Sequence, residues 1–398
     1  MIDAVIVEAV RSPGARYRRG GLAATRAEEY AIQVIKGLLA RVPQLNPADI
    51  DDVIVGCSFP EAETGMNVGR ILAMGAGLPI SVSGMTVNRF CSSGLQAIAD
   101  ATAKIKAGWS DVIIAGGVET MTHIPMGGTS MRPLPGWKMD GSMPYVYVSM
   151  GITAENVAAN YNISREDQDK VGMESNRRAY EAIKAGKFKD EIIPITAYRY
   201  TRDKSGKRVR ATFTFDTDDG VRWPTTMEQM AALKSPFKAG GSVTAGNSSQ
   251  MTDGAAFSLL MSAEKAKSLG LKPVARLTHY AVAGCKAEEM GVGPAYAIPK
   301  VLKLAGLTTK DIDVFEINEA FASQFIYSLR QTGLEERYWA GDVNPNGGAI
   351  ALGHPLGCTG AKLTAQLIYE MKRRGAKRGI VSMCIGGGMG AAGIFEML

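Results

Sequence analysis

The chain contains few of the residues that build disulfide frameworks or metal sites. Its 398 residues include only five cysteines and three histidines, and neither a Cys-X-X-Cys pair nor a His-Glu-X-X-His motif occurs. An odd number of widely separated cysteines does not indicate a disulfide framework, and zinc ligands normally follow closer spacings. We therefore expect a reducing compartment, no bound metal and no permanently bound cofactor.

Long hydrophobic runs and a strong excess of one charge are also missing. No run of about 18 apolar residues could span a membrane, and the first residues form a strand pattern without a basic leader. The last four residues, FEML, do not match a peroxisomal signal of the SKL type. The net charge of +6 is too small to indicate a nucleic-acid surface. The sequence predicts a cytoplasmic protein without a membrane span or a nucleic-acid partner.

The residues that are present indicate a large folded α/β protein. Apolar residues make up 46% and charged residues 21%, and the length suggests two or three packed units. Strand-like runs at 4–7, 52–55 and 112–115 alternate with helical runs near 27–39 and 95–107. This alternation predicts a parallel α/β sheet.

The two ends of the chain resemble each other. Residues 48–55 (ADIDDVIV) are similar to residues 310–317 (KDIDVFEI). Likewise, CSSG at 91–94 and GCTG at 357–360 each precede a helical run and then a strand-like run. The repeat predicts two similar halves, whose residues could meet across a pseudo-twofold axis.

The repeat also suggests how the chain is divided. The middle of the sequence breaks the alternation with prolines, glycines, a helix predicted at 165–185 and a polar hairpin near 199–210. Ser164 is the predicted N-cap of that helix. We expect a first half at 1–120 completed by 244–268, an inserted loop domain at 121–243, and a second half at 269–398.

Three residues could carry nucleophilic and acid–base chemistry. Cys91 precedes a predicted helix, whose macrodipole would stabilise a thiolate, although a buried core cysteine is the simpler alternative. His354 lies between glycines and is the best candidate base, unless it is an ordinary loop histidine. Cys384 ends a predicted strand ahead of glycines that include Gly386, so a thiol and backbone donors could share one site. A buried strand-end cysteine is the alternative for Cys384.

The segment after the strand predicted at 314–317 adds a polar pair. Asn318 could hold a water molecule or an oxyanion, or it could cap the next helix. Glu319 could be a structural ion-pair partner.

Four motifs in this order resemble the thiolase family. They are CSSG at 91–94, NEAF at 318–321, GHPLG at 353–357 and CIGGG at 384–388. Further matches strengthen the likeness: GGVE at 116–119, MGITAEN at 150–156, TAGN at 244–247 and NGGA at 346–349. Over essentially its whole length the chain resembles an acetyl-CoA acyltransferase, or 3-ketoacyl-CoA thiolase.

The resemblance implies both a fold and catalytic roles. Thiolases have two similar α/β halves in a five-layer αβαβα arrangement, with a loop domain that covers coenzyme A (CoA). By motif position, Cys91 would be acylated, His354 would take its proton, and Cys384 would be the second acid/base. His354 and a water molecule held by Asn318 would stabilise the enolate. The backbone N–H groups of Cys91 and Gly386 would stabilise the tetrahedral oxyanion.

The resemblance also implies contacts with substrates and partners. The positions that match CoA contacts are Ser149, Met150, Arg222, Ser249 and Ala320. Ser149 stands where biosynthetic members often carry histidine, and Trp223 interrupts the more usual Arg-Pro pair. CoA and acyl-CoA would be substrates. Family members form homodimers or homotetramers, in some cases with a hydratase/dehydrogenase subunit.

Several alternatives remain at this point. The segments GVETM at 117–121 and HIPM at 123–126 look more like degradative 3-ketoacyl-CoA thiolases than biosynthetic acetoacetyl-CoA thiolases. A ketosynthase usually relies on a cysteine with two histidines, whereas this chain has Asn318 at the second position. The alternative from another class is a catalytically silent thiolase-like scaffold or lipid carrier. The presence of all four candidate catalytic side chains disfavours that alternative.

Overall fold

The computed structural model describes residues 2–130 and 146–398. The segment 131–145, which belongs to the expected insertion, lies outside the described residues. Within the described ranges, no helix combines the length and the apolar character needed to cross a membrane.

The strands follow one another along the chain with clear bounds. They are β1 (Ala4–Arg11), β2 (Ala15–Arg16), β3 (Asp52–Gly56), β4 (Ser83–Val87), β5 (Val112–Thr120), β6 (Ile195–Arg202), β7 (Arg208–Phe215), β8 (Thr252–Ser262), β9 (Ala275–Gly284), β10 (Val314–Ile317), β11 (Arg378–Ile385) and β12 (Met389–Met397).

The α-helices lie mostly between these strands. They are α1 (Ala27–Ala40), α2 (Val68–Gly75), α3 (Ser93–Lys106), α4 (Met150–Asn160), α5 (Arg165–Lys184), α6 (Met227–Ala231), α7 (Ala263–Ser268), α8 (Gly293–Ala305), α9 (Ala322–Thr332), α10 (Glu335–Ala340), α11 (Ala349–Leu352) and α12 (Thr359–Arg374).

The strand order repeats in the two halves. The first half runs β1-β8-β5-β3-β4 and the second runs β9-β12-β11-β10, where Val343 pairs with Phe315 beyond β10. In each half the first two junctions are antiparallel and the next two are parallel. The two sheets join where Ile6 pairs with Ala275. The predicted repeat is therefore confirmed.

The prediction of a parallel sheet is wrong in part. Strands β3, β4 and β5 are parallel, but β8 is antiparallel to both of its neighbours. Strand β12 is also antiparallel, because a turn of three glycines returns the chain directly after β11. Only strands joined by a crossover helix must be parallel, and β8 and β12 are reached differently.

Alternating side chains show that helices cover both faces of each sheet. In β1, Val5 and Val7 pack in the cluster that includes α1 and α2, whereas Ile6 packs in the cluster that includes α3 and α12. In β11, Val381 packs in that same central cluster, and Ile380 packs with α8 and α9. The layers therefore run helix, sheet, helix, sheet, helix, which confirms the five-layer αβαβα fold.

The two central helices cross at a pair of glycines in matching positions of the repeat. A Cβ atom at Gly94 of α3 would lie 2.8 Å from the backbone nitrogen of Ala361, and one at Gly360 of α12 would overlap the backbone nitrogen of Leu95. Only glycine permits such close backbone approach. The starts of both helices, and the segments before them, are therefore brought together in the middle layer.

The expected insertion packs against the second half. The hydroxyl of Ser323 donates to the carbonyl of Ala154 at 3.0 Å, and Arg178 donates to the carbonyl of Val343 at 2.8 Å. The predicted N-cap of α5 is present, since Ser164 accepts the N–H of Asp167 at 3.0 Å. The domain boundaries at 120, 243 and 268 stay predictions.

We expect Gly360→Ala to lower the free energy of unfolding by about 1–3 kcal/mol, because the added methyl group meets backbone that cannot move aside. Chemical denaturation measures this change. Gly284→Ala is the matched control, since a Cβ there meets no atom within 4 Å. Equal stability of the two variants would contradict the proposed backbone contact.

Candidate active site

Cys91 lies in a tight turn between β4 and α3. Residues 90–92 form a 3-10 turn, and Phe90 has a φ of 44°, which is uncommon for a residue with a side chain. The side chain of Cys91 is nearly buried, with 7% of the residue exposed. It packs with a small apolar cluster of Tyr17, Phe59, Met121 and Leu356.

The environment of Cys91 favours a neutral thiol. Burial raises its pKa to about 12, although the backbone N–H groups of Gly386 and of Cys91 itself act in the opposite direction. The helix terminus was expected to stabilise the thiolate of Cys91, but in the resting protein burial has the larger effect on its pKa. Desolvation outweighs the helix terminus at this position. Cys91 therefore needs a base when it reacts.

Gly386 supplies a donor from the opposite half of the molecule. It follows β11 and opens the turn of three glycines, in which Gly387 and Gly388 have φ values of 81° and 89°. Its N–H group faces the sulfur of Cys91, as does the N–H of Cys91. Two fixed donors around one nucleophile can stabilise an oxyanion on the carbon atom that the sulfur attacks.

His354 is held with one ring nitrogen free to accept a proton. Its Nδ1 lies 2.6 Å from Oγ1 of Thr359, and that hydroxyl donates to the carbonyl of Pro355 at 3.0 Å. The hydroxyl must then accept the Nδ1–H of His354, which leaves the lone pair on Nε2. The Nδ2 group of Asn318 lies 3.3 Å from this Nε2.

The backbone of His354 is fixed as firmly as its ring. The N–H of His354 lies 3.1 Å from the carbonyl of Gln250 and 3.1 Å from Oγ1 of Thr252. The ammonium group of Lys362 donates to the carbonyls of Leu352 at 2.8 Å and Gly353 at 3.1 Å. Helix α12 therefore holds the loop on both sides, through Thr359 at the ring and Lys362 at the preceding backbone.

Burial and, to a smaller extent, the charge of Lys362 lower the pKa of His354 to about 3. The imidazole is consequently neutral at physiological pH and can act as a base. Burial also lowers the pKa of Lys362 to about 8.

Asn318 lies between the ring of His354 and β11, the strand that carries Cys384. Its N–H donates to the carbonyl of Ser382 in β11 at 2.9 Å, and its own carbonyl accepts from Gln324 at 3.0 Å. Asn318 does not cap α9, whose N-cap is Phe321. Its buried Oδ1 has no hydrogen-bond partner among the described residues. A buried amide oxygen of this kind can accept a hydrogen bond from a substrate or a water molecule.

Glu319 has a structural role rather than the expected ion pair. Its carboxylate accepts from Ser175 at 2.6 Å, from Asn344 at 2.9 Å and from the N–H of Ile350 at 3.3 Å. Burial raises the pKa of Glu319. These contacts tie α5 to the loop that leads to His354.

Cys384 is fully buried near the end of β11. Burial raises its pKa well above the usual thiol value, and the nearby Cys91 sulfur raises it further. A Cβ atom at Gly386 would lie 3.5 Å from the ring of Phe90, so the turn that follows Cys384 packs against the turn that carries Cys91. Met150 and Ala320 pack in the same small apolar cluster as Cys384.

The predicted CoA contacts fall into two groups. Ser249 donates its N–H to the carbonyl of Ala320 at 2.9 Å, so Met150, Ser249 and Ala320 lie around Cys384. Ser149 is the exposed N-cap of α4, directly before Met150. Arg222 has other neighbours.

The guanidinium group of Arg222 donates to the carbonyl of Ala245 at 3.1 Å, and its N–H donates to Asn176 at 2.8 Å. Burial lowers the pKa of Arg222, with a further contribution from Arg16. Arg222 therefore contacts the 244–247 segment, which leads to Ser249, rather than the residues around Cys384.

Three residues that support the site escaped the sequence analysis. Thr359 and Lys362 lie one turn apart on α12. Lys362 is a charged residue among the small and apolar residues that begin this helix, and this pattern could have indicated a buried functional lysine. Glu119, buried at the end of β5, accepts from the N–H groups of Ser58 at 2.8 Å and Gly357 at 2.7 Å. It therefore connects the first half to the loop of His354. The spacing of motifs along the sequence does not predict this contact.

The arrangement suits acyl transfer through a thiol. It provides a nucleophilic sulfur, a neutral imidazole, a second thiol and two backbone donors from opposite halves. Among the described residues, no group of three or more histidine, cysteine or acidic side chains could hold a metal ion.

A repeated five-layer fold with this set of residues defines the thiolase class. The model for the thiolase N-terminal domain matches residues 4–264, and that for the thiolase C-terminal domain matches residues 271–397. The chain therefore belongs to the thiolase family.

Relatives match along the whole chain. A 3-ketoacyl-CoA thiolase of Bacillus subtilis is 49% identical over 397 residues, covering all of both chains. The peroxisomal 3-ketoacyl-CoA thiolase 5 of Arabidopsis thaliana is 45% identical, covering 99% of this chain and 85% of the relative. The crystal structure of the Bacillus anthracis acetyl-CoA acetyltransferase superposes with a TM-score of 0.87 at 40% identity, covering 100% and 99% of the two chains.

We expect Lys362→Met to move the acid limb of the kcat/KM profile to higher pH by about one unit. Loss of the positive charge raises the pKa of His354, so more of the base is protonated at a given acidic pH. The pH dependence of turnover measures this effect. Lys362→Arg, which keeps the charge, and Lys372→Met on the exposed end of α12 are the controls. An unchanged acid limb in Lys362→Met would rule out the charge effect.

Proposed function

We propose that this protein is a 3-ketoacyl-CoA thiolase, which uses CoA to cleave a 3-ketoacyl-CoA into acetyl-CoA and a shortened acyl-CoA. The full-length relatives that carry this name support the proposal. The observation that carries it is the position of the Cys91 sulfur beside the N–H groups of Cys91 and Gly386, where the turn that follows Cys384 packs against Phe90.

In the first half-reaction the Cys91 sulfur attacks the 3-keto carbon of the substrate. Nε2 of His354 accepts the thiol proton, and the two N–H groups stabilise the oxyanion. The bond between carbons 2 and 3 then breaks. Its electron pair forms the enolate of acetyl-CoA, which His354 and a water molecule on Asn318 stabilise. The Cys384 thiol protonates carbon 2, and acetyl-CoA leaves.

In the second half-reaction CoA regenerates the enzyme. The Cys384 thiolate takes the proton from the CoA thiol, whose sulfur attacks the acyl group on Cys91. Breakdown of the tetrahedral adduct releases acyl-CoA, and His354 returns the proton to the Cys91 sulfur. The reaction is a ping-pong acyl transfer that leaves both cysteines as they began.

The pKa values near 12 for Cys91 and near 3 for His354 mean that the resting pair is uncharged. Proton transfer before substrate binding would be strongly unfavourable. We infer that the proton moves as the sulfur–carbon bond forms, when the developing oxyanion meets its two donors.

The principal test of the proposed function is acylation of the protein. We expect Cys91→Ala to give no covalent acyl-enzyme, because the nucleophile is absent. Cys384→Ala should still be acylated by a preformed acyl-CoA, although more slowly, since CoA can leave as a thiolate and only the proton transfer to carbon requires Cys384. Intact-protein mass spectrometry after incubation with acyl-CoA measures both.

Equal loss of acylation in the two variants would contradict this division of roles. A wild-type protein that is never acylated would instead support the silent scaffold or lipid carrier. A panel of 3-ketoacyl-CoA substrates then separates the two enzymatic alternatives. The degradative enzyme cleaves medium-chain substrates. Exclusive use of acetoacetyl-CoA would favour a biosynthetic acetyl-CoA C-acetyltransferase, the kind of enzyme that the Bacillus anthracis protein is named as.

We further propose that the enzyme acts in the cytoplasm with no permanently bound cofactor, and that CoA and acyl-CoA are its only small-molecule partners. The sequence contains no Cys-X-X-Cys pair and no His-Glu-X-X-His motif, which supports the absence of a bound metal cofactor.

The enzyme is proposed to be a homodimer built on the free edge of the first sheet. β4 pairs only with β3 in the described sheet, so its other edge carries unpaired backbone groups. Large apolar side chains are exposed around it, with Met66 at 95% and Ile80 at 81%. The same edge of a second copy would satisfy both features in a twofold arrangement. A homotetramer would need a further surface.

We expect the double variant Met66→Glu, Ile80→Glu to convert the dimer to a monomer, since four carboxylates would meet across the twofold axis. Light scattering coupled to gel filtration measures the mass. Leu304→Glu with Trp339→Glu is the matched control, because both side chains are also exposed, at 60% and 51%. A dimer that survives the first pair of substitutions would place the interface elsewhere.

A further inference from the structure

A fully buried arginine joins the first half of the molecule to the inserted segment. Arg11, the last residue of β1, is 0% exposed. Its Nε donates to Glu191 at 2.7 Å, and its two terminal nitrogens donate to the two carboxylate oxygens of Asp218 at 2.8 and 2.9 Å. Glu191 precedes β6 and Asp218 follows β7, so one guanidinium group fixes this part of the insertion at both ends.

The stability of the fold does not by itself explain these buried charges. Buried ion pairs lose much of their favourable energy to desolvation, and replacing them with apolar side chains is often neutral or stabilising. A fork of two parallel hydrogen bonds from an arginine to a carboxylate does, however, fix the orientation of both groups. The pair of Arg11 and Asp218 is therefore better explained by what it positions.

Asp218 lies close to the loop of His354. Its Oδ1 accepts the N–H of Gly14 at 2.6 Å. A Cβ atom at Gly14 would lie 2.9 Å from the carbonyl oxygen of Leu352 and 3.3 Å from Oδ1 of Asp218, so both oxygen atoms are near this glycine. The same carbonyl of Leu352 accepts from the ammonium group of Lys362. Asp218 and Lys362 therefore approach one carbonyl group, two residues before the base.

The segment 218–220 also contacts this loop directly. A Cβ atom at Gly220 would lie 2.6 Å from the carbonyl oxygen of Ala351. The carbonyl of Gly220 accepts from the side chain of Gln250 at 2.7 Å, and the carbonyl of Gln250 accepts the N–H of His354 at 3.1 Å. A chain of hydrogen bonds therefore connects the inserted segment to the backbone of the base.

The carboxylate of Asp218 stabilises the charge of Lys362. Burial lowers the pKa of Lys362 to about 8, and Asp218 acts in the opposite direction. Burial also opposes the charged form of Asp218, but Arg11 and Lys362 outweigh it and lower the pKa of this carboxyl group. Asp218 is therefore negatively charged at physiological pH. The other ionisable groups that face Lys362 are Arg11 of β1, Glu191 of the insertion, Glu316 of β10, and His354 and Cys358 of the loop before α12.

We propose that Asp218, held by Arg11, is a positioning residue for His354. It fixes the segment 218–220 against the loop that carries the base, and it stabilises the charged form of Lys362, which binds the carbonyl groups of that loop. This inference rests on the role of His354 in the proposed function and deepens it, since it gives the inserted segment a part in orienting the base. A base that is displaced by about 1 Å loses much of its efficiency although the substrate still binds.

The test neutralises Asp218 with little change in its size. Asp218→Asn keeps an acceptor for the N–H of Gly14 but loses the negative charge and the fork to the guanidinium group. Asp219→Asn is the matched control, because Asp219 also ties the insertion to the first half, by accepting the N–H groups of Arg16 and Gly21 at 2.7 Å each. Neither partner of Asp219 belongs to the loop of the base. Thermal unfolding verifies that both variants are folded.

We expect Asp218→Asn to lower kcat for a 3-ketoacyl-CoA by about 10- to 100-fold with little change in KM, because the base is misplaced while the CoA contacts remain. Asp219→Asn should keep a kcat close to that of the wild type. Steady-state kinetics measures both. Equal losses in the two variants would overturn the proposal, since a general loosening of the insertion would then explain them, and so would a wild-type kcat in Asp218→Asn.

The pH profile separates the effect of charge from that of packing. The wild type should lose activity as the pH rises through the pKa of Lys362, about 8. Asp218→Asn removes a charge that favours the ammonium form, so this alkaline limb should move to lower pH by about one unit. In a Lys362→Arg background the limb should stay in place, because a guanidinium group does not titrate in this range. A limb that does not move in Asp218→Asn, or that moves equally in both backgrounds, would overturn the role of the charge.

A second variant keeps the proposal testable if Asp218→Asn does not fold. Arg11→Lys retains the buried positive charge but cannot form the two-bond fork, so the segment 218–220 is held less firmly. We expect kcat to fall in the same direction as in Asp218→Asn, by a smaller factor and again with little change in KM. A kcat equal to that of the wild type would contradict the role of Arg11.

Alkylation of Cys91 tests the position of the base without any CoA substrate. Reaction of the buried thiol with iodoacetamide depends on His354 as base, and intact-protein mass spectrometry measures its rate. The rate should fall in Asp218→Asn and not in Asp219→Asn. If the wild type does not cleave a 3-ketoacyl-CoA, the proposed function fails, whereas an unchanged alkylation rate in Asp218→Asn refutes this inference alone.

Discussion

The architecture depends on one backbone contact in the middle layer, where α3 and α12 cross at Gly94 and Gly360. Side chains at these positions would meet the backbone of the facing helix and force the helices and the loops before them apart. The crossing brings the turn of Cys91 and the loop of His354, which lie more than 250 residues apart in the chain, into one site. Glu119 strengthens this junction by accepting the N–H of Gly357.

The site combines reactive groups with an environment that keeps them uncharged at rest. Burial opposes both the thiolate of Cys91 and the imidazolium of His354. The donors needed for the charged state, the N–H groups of Cys91 and Gly386, are nevertheless fixed in advance by the start of α3 and the turn after β11. Such a site stabilises charge only when it develops on the substrate, which is where stabilisation accelerates a reaction.

Local signals and repeated motifs were sufficient to predict much of this structure. The alternation of strands and helices, the cap of α5 and the basic hairpin depend on neighbouring residues, and the two halves were visible from the repeat. The antiparallel direction of β8 and β12 depends on which strands pair, which local patterns do not specify. The neutral thiol of Cys91 results from burial by Tyr17, Phe59, Met121 and Leu356. The roles of Thr359 and Lys362 depend on a loop folding back onto its own helix.

The repeat also has a consequence for the origin of the protein. In the matched motifs, Cys91 stands opposite Gly357, and His354 stands opposite Asn88. A chain of two equivalent halves is the expected product of duplication and fusion of a single gene, whose ancestral subunits would have paired symmetrically around the same helix crossing. In the fused chain each half could diverge independently. Cys91 now lies at one helix start and His354 lies before the other. The symmetric fold therefore contains an asymmetric active site.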